Sequence, residues 1–138
     1  GQKDAQQVVV IRRMIEDLKF NLELKICPIA REDDGLAMSS RNTNLTPAAR
    51  KQAPVLFQAL STARNQVASG EKRAAEVKKN MQHTIEKADL ARIDYLSIAD
   101  PVTLQELDVI ENEALLSLAV YFGEVRLIDN VLFSRSRR

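Results

Sequence analysis

Residues 114–133 constrain the fold of this chain more than any other segment. Ala114 to Phe122 is almost continuously apolar, as expected of a central strand covered on both faces. Gly123-Glu124 follows, a two-residue Gly-X loop of the kind that closes type II′ hairpins. Val125 to Phe133 then returns as the partner strand. Ile93 to Ile98 supplies a third candidate strand, which stops at the turn dipeptide Asp100-Pro101.

The helical patterns lie upstream. Leu45-Thr46-Pro47 announces a helix start, with Thr46 as N-cap, Pro47 at the first helical position and Leu45 available as a staple. Ala53, Leu56, Leu60, Ala63 and Val67 form one apolar stripe, and Gly70 sits where a C-terminal glycine belongs, so a single helix is expected between Pro47 and Gly70. A second helix is expected from Glu71 to about Lys87, burying Ala74, Val77, Met81 and Ile85. The sole histidine, His83, falls in it and reads as a surface residue, because no second ligand or acid is placed near it. These elements predict an α+β domain of two helices and a three-stranded antiparallel sheet.

Before them, Val8, Ile11, Ile15 and Leu18 recur at helical spacing between Asp4 and Lys19. Leu22, Leu24 and Ile26 then alternate as in a short strand up to Pro28. A helix followed by a strand is the end of a βαβ unit, and here it has no sheet of its own to join.

A length of 138 residues suits one ordinary domain, or a small domain with a remnant of another. A net charge of +1 and scarce aromatics argue against nucleic acid and acidic membrane surfaces as partners. There is no apolar run of about 18 residues for a bilayer span, and no signal-peptide pattern. Cys27 is the one cysteine, so no intrachain disulfide can form, and a reducing cytoplasm is the simplest setting. Asn44-Leu45-Thr46 matches a glycosylation sequon and reads as chance. The basic ending Ser134 to Arg138 reads as a solvated tail.

Two segments carry phosphate-type chemistry. Met38-Ser39-Ser40-Arg41, in a polar loop from Arg31 to Asn44, sets two hydroxyls beside a guanidinium: Arg offers bidentate hydrogen bonds to phosphate oxygens and Ser short, adaptable ones. Gly35 lets the preceding backbone turn tightly. Upstream, Gly1-Gln2-Lys3-Asp4 stands directly before the first helical pattern and places Lys3 at the positive end of a helix.

Gly-x-Lys-Asp-x-Gln-Gln (Gly1 to Gln7), Arg-Glu-x-Asp-Gly-Leu-Ala-Met-Ser-Ser-Arg-Asn (Arg31 to Asn42) and Arg-Leu-Ile-Asp-Asn (Arg126 to Asn130) occur in this order and at these separations in the pantothenate synthetase family of pantoate–β-alanine ligases, which the chain resembles. The match covers only the C-terminal half of that family's enzymes. The resemblance therefore implies a cut chain with two parts. Residues 1–41 would be a remnant of a Rossmann-like nucleotide-binding domain that includes the phosphate loop. Residues 42–138 would be a C-terminal lid domain.

The resemblance further implies ATP as a substrate, with Gly1, Gln2, Lys3, Asp4, Ala30, Met38, Ser39, Ser40 and Arg41 at its site. Gly1 and Asp4 would lie near the ribose, and Ala30 would touch adenine through its main chain. Lys3, Ser39, Ser40 and Arg41 would carry the catalytic task of stabilising charge on departing pyrophosphate. Gln7 inherits pantoate binding. The substrates implied are ATP, D-pantoate and β-alanine, and a homodimer is expected. Two positions depart from the family pattern: Ala5, where an aromatic is common, and Asn44, where Tyr is frequent. Glu32, Asp33 and Asp34 read as a solvated acidic loop, with no protein metal site expected; Mg2+ would be held mainly through ATP phosphates. The competing reading is a non-catalytic folding or interaction module, and catalysis by the isolated chain is not expected.

Overall fold

The computed structural model describes residues 12, 13, 15–17 and 30–134. Helix α1 spans Pro47–Gln52, α2 Val55–Ala68 and α3 Ala74–Glu86; strands β1, β2 and β3 span Ala91–Ala99, Glu113–Phe122 and Val125–Ser134. Thr46 caps α1 by accepting from the Ala49 N–H, with Pro47 in the first turn. The stretch expected to form one helix breaks at Ala53-Pro54. Proline has no N–H for the Arg50 carbonyl, and its ring crowds that turn, so α2 starts afresh at Val55. Gly70, at φ +120°, ends α2 as expected.

The next helix begins at Ala74 and not at Glu71, because the backbone before it is used elsewhere. The Ala74 N–H donates to the Asp108 carbonyl (3.0 Å), and the Ile110 N–H to the Lys72 carbonyl (2.8 Å). His83 is exposed on α3.

The sheet is an antiparallel meander in the order β1-β2-β3, so the most apolar strand is the central one. Gly123, at φ +65°, takes the first central position of the Phe122–Val125 turn, and Glu124 keeps a negative φ, as type II′ requires. Helix α2 lies over β2 and β3 and α3 over β1. Leu56, Leu60, Val67, Val77, Met81 and Ile85 of the helices share one buried cluster with Ile98, Leu116, Leu118 and Val120 of the sheet. The α+β reading holds, with three α-helices in place of the two expected between residues 47 and 87.

The β1–β2 register slips between Ile93 and Tyr95, leaving Asp94 as an inserted residue. Such a bulge turns two consecutive side chains to one face of a sheet. Here Asp94 and Tyr95 both lie on the face away from the helices, which they share with Arg126 across the sheet. Residues 105–107 run along the outer edge of β1, with the Leu107 N–H donating to the Ile98 carbonyl at 2.9 Å. Leu104 adopts φ +64° in that loop and packs against the small Tyr95, Ala99, Leu115 and Ala119 cluster. No helix among the described residues is long and apolar enough to cross a membrane.

Candidate functional site

The polar loop closes on itself as a small hairpin. Arg31 and Ala37 form an antiparallel bridge, Glu32 N–H donates to the Leu36 carbonyl (2.8 Å), and Met38 N–H to the Ala30 carbonyl (2.9 Å). Gly35 turns the crown at φ +95°, where a side chain is strained, and a Cβ there would stand 2.5 Å from a Phe57 ring carbon. Leu36 is buried and pins the crown to the core. Asp34 pairs with Arg50 of α1 at 2.7 Å, and this hydrogen bond holds its carboxyl below the ordinary value.

Ser39 accepts from the Arg41 N–H at 3.1 Å and so caps a 3-10 turn over Ser40–Asn44. Met38, Ser39 and Ser40 are exposed, while Arg41 is half-buried. The Arg41 guanidinium donates 3.3 Å to the main-chain oxygen of Arg126 on β3, and the Asn42 amide donates 3.1 Å to the Ala37 carbonyl. The turn thus presents two hydroxyls and one cation on a surface fixed from behind.

What fixes it is an ion pair that the sequence analysis did not assign. Arg31 grips the Asp129 carboxylate in a fork, with contacts of 2.7 and 3.1 Å, and donates 3.0 Å to the Gly35 carbonyl. Its guanidinium carbon lies 4.2 Å from the centre of the Phe57 ring, a cation–π contact. Asp129 sits on the helix face of β3, its side chain 2% exposed. Burial raises its carboxyl above the ordinary value, and Arg31 opposes that rise.

A second polar cluster occupies the opposite face of the sheet. Arg126 bonds Asp17 through both η nitrogens (2.9 and 3.3 Å) and Asp94 through Nε (3.1 Å). Arg13 also pairs with Asp94, and the Tyr95 hydroxyl donates to Asp17 at 2.7 Å. Burial, then the bond to Asp17, pushes the Tyr95 hydroxyl far above its usual range. Desolvation works against the Arg126 charge, but the two aspartates outweigh it and hold the guanidinium firmly protonated. Arg126 to Asn130 was legible as a motif; its register on β3, which turns Arg126 and Asp129 to opposite faces, was not.

Among the expected site residues, the structure brings Ala30, Met38, Ser39, Ser40 and Arg41 together on one hairpin and turn. Gly1, Gln2, Lys3, Asp4 and Gln7 lie outside the described residues, as do Cys27, the strand expected at 22–27, the tail at 135–138 and most of the first helix. Residues 12, 13 and 15–17 of that helix are helical. The described residues contain no group of three or more His, Cys, Asp or Glu side chains placed to hold a metal.

A sequence model of the Pantoate-beta-alanine ligase family matches residues 1–132. The chain belongs to the pantoate-beta-alanine ligase family. Among relatives in this family, a pantothenate synthetase of Roseiflexus sp. (strain RS-1) is 52% identical over 94% of this chain and 47% of its own length. One from Clostridium botulinum (strain Langeland / NCTC 10281 / Type F) is 47% identical over 96% of this chain and 47% of its own length. The crystal structure of pantothenate synthetase from Thermus thermophilus superposes with a TM-score of 0.70 at 39% identity, covering 93% of this chain and 46% of that one. This member of the ligase family therefore spans about half the length of the curated relatives it matches.

Proposed function

We propose that this chain is the C-terminal part of an ATP-dependent ligase that joins D-pantoate and β-alanine to give pantothenate, AMP and pyrophosphate. The reaction runs in two steps. A pantoate carboxylate oxygen attacks the α-phosphorus of ATP, the α–β anhydride bond breaks, and pyrophosphate leaves. The β-alanine amine then attacks the acyl carbon of pantoyl adenylate, losing a proton as the bond to AMP breaks.

The observation that carries this reading is the Ser39-Ser40-Arg41 turn, with both serines exposed and Arg41 half-buried, held in place by the hairpin and by β3. Charge builds on the β- and γ-phosphates as pyrophosphate departs, and donors already fixed at that position stabilise it without reorganising. Ser39, Ser40 and Arg41 take that role together with Lys3. Met38 and the main chain of Ala30 border the nucleotide, Gly1, Gln2 and Asp4 complete its site, and Gln7 meets pantoate with an uncharged amide. Mg2+ would arrive on the ATP phosphates, a reading that the commitment of Asp34 to Arg50 supports.

In this proposal residues 1–41 close a Rossmann-like nucleotide domain and residues 42–138 form a lid over the site. A lid that excludes water protects the acyl adenylate from hydrolysis. The working protein is a cytoplasmic homodimer, and this chain by itself makes no pantothenate, because half a constellation cannot hold reactants in attack geometry.

The test is Arg41→Ala in the complete ligase. Single-turnover adenylate formation should slow by about a hundredfold, with pantoate affinity little changed. An unchanged adenylation rate removes Arg41 from the mechanism.

A further inference from the structure

The loop that carries the proposed phosphate contacts is tied to β3 at two points. Arg31 holds Asp129, and Arg41 reaches the main-chain oxygen of Arg126, three residues earlier on the same strand. Asp129 occupies a helix-face position between Leu127 and Val131, where strand alternation asks for an apolar side chain. A buried ion pair seldom improves on well-packed apolar residues as a source of stability. What a forked Arg–carboxylate contact does supply is direction, since both nitrogens must face both oxygens.

That direction passes along the hairpin. The Arg31 guanidinium also holds the Gly35 carbonyl and lies over Phe57, so the crown cannot swing away from α2. The Arg31–Ala37 bridge and the bond from Met38 to Ala30 carry the constraint to the far limb. The Asn42 amide on the Ala37 carbonyl then locks the serine turn to it.

We infer that Asp129 and Arg31 are a positioning pair that sets the Ser39–Arg41 turn against the ATP phosphates, so that the phosphate loop and the sheet move as one body. By chain order the loop belongs with the nucleotide domain; through this clamp it travels with the lid. Closing the lid and delivering the phosphate donors are then a single motion. The inference rests on the proposed phosphate role of Ser39, Ser40 and Arg41.

The experiment uses the complete ligase and follows the two half-reactions separately. Asp129→Asn keeps the shape of the side chain and removes its charge. It should slow adenylate formation from ATP and pantoate by roughly tenfold or more, as misplacing a contact by about an ångström does. Amine attack on supplied pantoyl adenylate, which no longer involves the β- and γ-phosphates, should keep its rate. Arg31→Lys keeps a cation opposite Asp129 but loses the fork, and it should show the same split with a smaller loss.

Equal losses in both steps, or no loss in either, from a folded variant would overturn the pair. If Asp129→Asn does not fold, the same split in Arg31→Lys decides. Arg41→Ala measured in parallel separates the two ideas. Impaired adenylation there with normal Asp129→Asn and Arg31→Lys sinks the positioning pair alone, whereas a normal Arg41→Ala removes the phosphate role beneath it.

Discussion

On the helix side of the sheet, Leu116, Leu118 and Val120 of β2 join Leu60, Val67, Met81 and Ile85 in one buried cluster. On the other side, Arg126, Asp94 and Tyr95 meet Asp17 and Arg13 through directed hydrogen bonds. The first assembly is held by apolar area removed from water, which has no preferred direction and asks only for volume and pattern. The second depends on angles, on a bulge that turns Asp94 to the same face as Tyr95, and on every charge finding a partner. Failure should therefore look different on the two faces: a cavity costs in proportion to what is removed, while a broken network costs through the groups left behind.

The largest effect expected from that contrast is on the helix side. Leu116 is fully buried in the central strand, and Leu116→Ala should cost about 3 kcal/mol, read as a lower urea midpoint at unchanged slope. A loss as small as that of a surface change would mean the cluster collapses freely around the gap, against the picture of a close-packed layer.

Next comes Arg126→Ala, which takes away the guanidinium shared by the carboxylates of Asp17 and Asp94, 15% and 12% exposed, and should cost about 2 kcal/mol. Adding Asp94→Asn to it should recover part of the loss, since the double variant no longer buries a charge that has lost one of its two cations, Arg13 being the other. Strict additivity of the two changes would show that the residues do not act as a network.

The smallest effect belongs to Asp34 and Arg50, a surface pair that ties the polar loop to α1. Asp34→Asn should cost less than about 1 kcal/mol, most of it screened by salt. Its pH dependence has a definite sign. Arg50 lowers the Asp34 pKa in the folded chain, so the stabilisation is present above the ordinary carboxylate value of 3.8 and is lost as pH falls through the lowered one. Melting curves of parent and variant should converge in acid; a gap that widens on acidification would reverse the sign and discard the pair.

The same contrast explains what could be read from the chain before its structure. Apolar patterning marked the central strand, all four buried residues of α3 and most of the α2 stripe, though not Val55 and Ala59, because burial writes a periodic signal; the Gly123-Glu124 turn was legible from its residue types. Pro54 was visible too, but the apolar stripe runs straight across it and hid the helix break. The delayed start of α3 left no local trace, since it comes from pairing with residues 108–110.

In the candidate site, the Met38-Ser39-Ser40-Arg41 run, exposed except for the half-buried Arg41, stood out by its residue types. Its anchor was not. Arg31 and Asp129 stand 98 residues apart, and a lone Asp in an apolar strand does not say which Arg it will meet. The bulge at Asp94 was equally silent, for a register shift depends on both strands at once.

The placement of the two tyrosines has a spectroscopic consequence. The chain contains no tryptophan, and Tyr95 and Tyr121 both project from the face of the sheet away from the helices. Tyr95 donates to a carboxylate, and Tyr121 lies under the Arg92 guanidinium, 4.4 Å from its ring centre. Intrinsic ultraviolet emission therefore reports on the charged side of the sheet and hardly at all on the layer of leucines, valines and alanines behind it. Circular dichroism at helix wavelengths weights the opposite side. Recorded on one sample, the two signals separate the sides without any added label. If they melt together, the charged network and the apolar layer form a single cooperative unit; if emission changes first, the network loosens while the helices still stand.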